Sequence, residues 1–110
     1  MIQPEGLIRV LLDAEAAFGD RHDAAMDLGA FDDRGVEEAL AHLACHEGAD
    51  EDLADACGES LAEIWCRKGN ISREILTKLT PMGLRAVMAA LRVCSPRLRA
   101  EAAHILSASC

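Results

Sequence analysis

Tyrosine is absent from this 110-residue chain, and Phe18, Phe31 and Trp65 are its only aromatic residues, 3% of the whole. Sandwich and barrel cores draw on aromatic and β-branched side chains, so this scarcity argues against both. No apolar run approaches the roughly 20 residues that span a bilayer. The opening Met1-Ile2-Gln3-Pro4-Glu5 carries no basic segment followed by an apolar core, so no secretory signal is expected. None of Ser60, Ser72, Ser95, Ser107 and Ser109 sits in a nucleophile elbow, and no glycine-rich phosphate loop follows a strand. Neither catalysis nor a cofactor is expected. The cysteines Cys45, Cys57, Cys66, Cys94 and Cys110 are an odd set, which reads as reduced thiols in a cytoplasm.

Twenty alanines and fourteen leucines are present, and 51% of the residues are hydrophobic. Strong helix formers in that proportion predict an all-α fold. The length fits one domain, residues 1–110, with a core that needs neither metal nor disulfide staples.

Helix punctuation divides the chain. Pro4 and Glu5 open a first helix with Leu7, Ile8, Leu11, Leu12, Ala16 and Phe18 at helical spacing, ended by Gly19. Asp20 caps a second, with Ala24, Ala25 and Leu28 inward, closing at Gly29. Asp32 or Asp33 caps a third, with Val36, Leu40 and Leu43 as its stripe and Gly48 as its stop. Asp50 caps a fourth, which turns Leu53, Cys57, Leu61 and Ile64 or Trp65 inward before Gly69-Asn70. Ser72 opens a short helix through Leu79, a sixth spans Met82 to Val93, and Ser95-Pro96 starts a seventh.

An internal likeness runs through these helices. Pro4-Glu5-Gly6-Leu7-Ile8-Arg9-Val10-Leu11-Leu12 is similar to Pro81-Met82-Gly83-Leu84-Arg85-Ala86-Val87-Met88-Ala89, and Arg34-Gly35-Val36-Glu37-Glu38-Ala39-Leu40 aligns with both. Each is followed by a second helix, of which Arg21-His22-Asp23-Ala24-Ala25-Met26-Asp27-Leu28-Gly29 is the clearest. The chain thereby resembles HEAT-like repeats, in three uneven units with an insertion from Cys66 to Thr80. That resemblance implies a short stack of antiparallel helix pairs whose second helices line a concave, partner-binding surface, and a generic helical bundle is the other reading of the same helices.

Charge is distributed as unevenly as shape. The net charge is −8, but residues 1–66 carry −14 and residues 67–110 carry +6. Such asymmetry steers a charged partner, or is satisfied internally, one end against the other. Seven carboxylates and no base lie between Glu47 and Glu63. Asp52, Asp55, Glu59 and Glu63 fall at i, i+3, i+7 and i+11, one face of the fourth helix, and Asp23 and Asp27 add acid to the preceding second helix. Like charges at i, i+4 cost a helix roughly 0.2–0.5 kcal/mol per pair. The stripe reads either as a face that is solvated or paired with the C-terminal arginines, or as a docking site for a basic protein. Trp65 reads as core filler or as a binding anchor.

Two further constellations carry chemistry. His42, Cys45 and His46 share a helical face, but no fourth ligand is evident; a buried thiol beside surface histidines is the other reading. Arg85, Arg92, Arg97 and Arg99 could hold phosphates, although no aromatics accompany them and the pI near 4.8 opposes a nucleic-acid role. The expected function is a small acidic, cytoplasmic protein-binding module. In type rather than motif it is similar to immunity proteins of contact-dependent inhibition systems. That likeness implies a partner that is a basic, secreted toxin domain with its cleft occluded by the acidic stripe. The alternative is a nucleic-acid-binding or regulatory domain that uses the basic end.

Overall fold

The computed structural model describes residues 3–108. Every regular element among them is a helix: α1 (Glu5–Leu12), α2 (Phe18–Leu28), α3 (Arg34–Ala44), α4 (Glu51–Lys68), α5 (Arg73–Lys78), α6 (Pro81–Cys94) and α7 (Pro96–Ala108). The expected all-α class is what forms.

Capping chemistry sets most of the boundaries. Asp33 accepts a hydrogen bond from the Gly35 N–H at 2.7 Å, and Asp50 accepts from those of Asp52 and Leu53. Ser72 and Ser95 accept from the N–H groups of Ile75 and Leu98. Gly69, at φ 78°, closes α4 in the left-handed conformation that a side chain disfavours.

Three boundaries depart from the sequence reading. Helix α2 starts at Phe18, before the expected cap: Ala17 is its N-cap, without a side-chain hydrogen bond, and Asp20 lies inside the first turn, where its charge meets the positive end of the helix dipole. The first helix stops at Leu12 rather than Gly19, because the Asp13 carboxylate accepts from the Glu15 N–H and folds the chain into a local turn. Arg21 of α2 then donates through Nε to the Leu11 carbonyl, which lies at the freed end of α1. Leu12 and Phe18, expected inward, are consequently exposed. The third helix stops at Ala44 rather than Gly48. Its terminal carbonyl, Ala44 O, accepts from both the backbone N–H and the hydroxyl of Thr80, each at 3.0 Å, so the start of α6 caps the end of α3.

Helix α4 is the spine of the molecule, with α2, α3 and α6 against it. Helix α1 covers α2 and α3, while α7 packs on α5 and α6. Thus α2 and α4 lie side by side, and α4 is covered by α6 and not chiefly by α7. Trp65, Leu28, Leu40, Leu61, Ile64 and Leu91 are fully buried in one continuous core. The core also holds Cys57, while Ser60 of α4 donates to the Ala25 carbonyl of α2 at 2.6 Å.

The α3–α6–α4 contact is too tight for side chains at two points. A Cβ on Gly58 would lie 2.7 Å from the Gly83 carbonyl oxygen, and one on Gly83 would lie 2.5 Å from that of Ala44. Backbone must move to admit either. Gly83→Ala is therefore expected to destabilise by about 1–3 kcal/mol, outweighing the roughly 1 kcal/mol by which alanine improves on glycine inside a helix. Gly19→Ala is the matched control, since nothing lies within 4 Å of its added Cβ. Urea unfolding followed by circular dichroism should show the two variants moving in opposite directions; a Gly83→Ala midpoint at or above the parent's contradicts the close approach.

Candidate docking groove

Once Asp50 fixes the start of α4, the helical period determines what each face carries. Leu53, Cys57, Leu61 and Ile64 turn into the core, while Asp52, Glu59 and Glu63 are exposed and Asp55 is half-buried. The carboxylates form one wall of a groove of about 580 Å³, through Asp55, Glu59 and Glu63. The facing wall is apolar and belongs to α6: Ala86, Ala89, Ala90 and Val93. Met26 of α2 adds a further apolar group, and Cys66 and Cys94 also line the groove. Asp55 also borders a shallower depression of about 260 Å³ with Phe18, His22, Asp23 and Asp52. The structure thus gathers Asp23, Asp52, Asp55, Glu59 and Glu63 along one path. Asp27 is exposed on α2 but lines neither depression.

Internal bases compensate only one end of this acid. Arg67 pairs with Asp32, donates to the Gly29 carbonyl at 3.0 Å and lies 3.8 Å from Glu63. Lys68 pairs with Glu37 at 2.9 Å. Among the described residues no ion pair reaches Asp52, Asp55 or Glu59, and Arg85, Arg92, Arg97 and Arg99 pair with none of the stripe. Arg97 instead donates to the Gly69 carbonyl at 3.4 Å. The C-terminal half thus packs back on α4 through α6, but the arginines of α6 and α7 do not pair with the acidic wall.

The apolar wall was not anticipated from the sequence. Its signal is present: between Pro81 and Cys94 only Arg85 and Arg92 are charged, so α6 is apolar around far more of its circumference than one buried stripe requires. Val87 and Leu91 fill the core, which leaves Ala89 and Val93 facing outward.

The thiols require a correction. Cys66 and Cys94, expected to be reduced, form a disulfide between α4 and α6, with Cα atoms 6.3 Å apart. Their sequence separation of 28 hides the proximity, which arises because α5 brings the chain back so that α6 can lie along α4. The cysteines accordingly no longer support a cytoplasmic reading. Cys110 lies outside the described residues.

Cys45 and Cys57 remain free thiols. The Cys45 thiol is 3.8 Å from the Ile75 carbonyl, and burial raises its pKa, with Lys78 pulling the other way. His46 Nδ1 accepts from the Gly48 N–H, and the His42 and His46 rings stand 6.2 Å apart. Among the described residues no three His, Cys, Asp or Glu side chains gather as a metal site.

Burial pushes the Cys57 thiol up to about 12 from 9.0, with Arg21 acting weakly against it. Its folded pKa is raised, so above pH 9 the unfolded chain loses this proton while the native chain keeps it. Stability should therefore fall between pH 9 and 12, by about 1 kcal/mol per pH unit from this group. Cys57→Ala should flatten that slope in urea titrations at stepped pH; an unchanged slope excludes Cys57 as its source.

Among the described residues no helix is long and apolar enough to cross a membrane. No protein-family model, curated protein or solved structure matches the chain.

Proposed function

We propose that this protein is a non-catalytic binding module that docks a basic protein along the Asp52–Glu63 face of α4. The observation that carries the reading is the lack of an internal base at Asp52, Asp55 and Glu59, although eight Lys and Arg residues follow Cys66. Three adjacent carboxylates that repel one another, beside an open groove, are relieved by a cation from outside. In its most specific form the reading is an immunity protein. The carboxylates stand in the place of phosphates in the cationic cleft of a secreted toxin domain and block it by charge and bulk.

The test is capture of a basic toxin domain at low and high salt by the parent and by the Asp55→Asn/Glu59→Gln/Glu63→Gln variant. Salt-sensitive binding that falls about tenfold or more in the variant, with matching loss of toxin inhibition, is the expected outcome. Equal binding by both proteins rejects the stripe as the docking site. Retention of nucleic acid by the variant, lost on neutralising Arg85 and Arg92, transfers function to the basic end.

A further inference from the structure

Two arginines lie across the apolar wall from the carboxylates. At about 100° per residue, Ala90, Val93 and Ala89 follow one another around α6 away from α4, and Arg85 and Arg92 come next. Both arginines are exposed, and among the described residues neither enters an ion pair. Across this face the surface therefore runs from acid through apolar to base. Val93, 83% exposed, stands in the apolar strip.

Positions along the helices are matched as well. Gly58 meets Gly83 and Ala86, and Cys66 is bonded to Cys94, so α4 and α6 run in the same direction. Between those two contacts Glu59 falls level with Arg85, and Glu63 level with Arg92, to within about 3 Å along the helix axis. A two-fold rotation about an axis laid along the apolar strip keeps each level and exchanges the two sides. Base then meets acid at both edges, and the apolar strip meets itself.

We propose that, in the absence of another partner, this face is covered by a second copy of the chain, in a two-fold dimer with α6 packed on α6 in parallel. Arg85 and Arg92 of each copy meet Glu59 and Glu63 of the other, while Ala89 and Val93 close the centre. Charge complementarity selects this occupant and this orientation, because the antiparallel arrangement puts acid on acid. The dimer goes beyond the docking role and uses the same carboxylates, so a basic partner must displace the second copy.

Sedimentation velocity of the disulfide-bonded protein over a concentration series is the test, and the parent should pass from monomer to dimer. Arg85→Glu/Arg92→Glu and Glu59→Arg/Glu63→Arg should each weaken self-association about tenfold or more, since like charges then face each other at both edges. An equimolar mixture of the two variants should recover the dimer, because acid again faces base. Val93→Glu, at an exposed position, should be monomeric with the parent's circular dichroism spectrum.

A parent that is monomeric at every concentration overturns the dimer, as does a dimer that survives both charge reversals or a mixture that stays monomeric. If the parent is monomeric but captures a basic toxin domain through the stripe, the dimer fails and the docking role stands. If the mixture restores the dimer but no toxin domain is captured, the dimer stands and the docking role fails.

Discussion

Replacing Trp65 by alanine is expected to lower the unfolding free energy by about 4 kcal/mol, a large share of the 5–15 kcal/mol typical of a domain. Trp65 is fully buried where α3 meets α4, and its Nε1–H donates to Glu37 Oε1 at 2.8 Å. The second oxygen of that carboxylate accepts from Lys68 Nζ at 2.9 Å. Truncation thus opens a cavity and also removes a hydrogen bond from a buried carboxylate, two costs that add. Trp65→Phe separates them. It keeps most of the apolar volume and loses the N–H, so it should cost about 1–3 kcal/mol. Trp65 is the only tryptophan, so unfolding must be followed by far-ultraviolet circular dichroism instead of fluorescence. A loss below about 2 kcal/mol for the alanine variant would show that the site collapses around the gap or that the carboxylate finds water.

Sequence periodicity was most informative where a cap and a stripe agreed. Helix α4 is the clearest example: Asp50 accepts two backbone N–H groups at its start, Gly69 ends it, and the intervening period separates Leu53, Cys57 and Leu61 from Asp52, Asp55 and Glu59. The acidic wall was legible for the same reason. The break at Asp13 was not, because Leu7, Ile8, Leu11 and Phe18 keep a helical rhythm across a turn set by one carboxylate–amide hydrogen bond. Nor was the end of α3, where the deciding partner is Thr80, thirty-six residues away. Long-range features share this property. The apolar wall needs α6 to lie against α4, and that approach depends on Gly58 and Gly83, whose missing Cβ atoms carry no periodic signal. Half of the groove is therefore a property of one helix, and half a property of how two helices meet.

That meeting is also where the second large effect is expected. Cys66 and Cys94 tie the last turn of α4 to the last residue of α6 and close a loop that contains α5 and most of α6. For a separation of 28 residues, loss of this constraint should release the unfolded chain by about 3.5 kcal/mol. In a helical domain of this size the melting temperature of Cys66→Ala/Cys94→Ala should fall by roughly 15–25 °C. The native fold is expected to persist, since Leu61, Ile64, Val87 and Leu91 are fully buried in the core and supply apolar packing that does not depend on the bond. Far-ultraviolet circular dichroism at low temperature should be unchanged while the thermal midpoint drops. Adding reductant to the parent should reproduce the shift, and adding it to the double variant should change little. A parent insensitive to reductant would mean that the bond does not contribute in solution. The groove should respond separately from the fold: both sulfurs line it, and the bond joins the acidic helix to the apolar one. Basic-partner affinity measured well below the variant's melting range should fall in the double variant, because the two walls are then held together by packing alone.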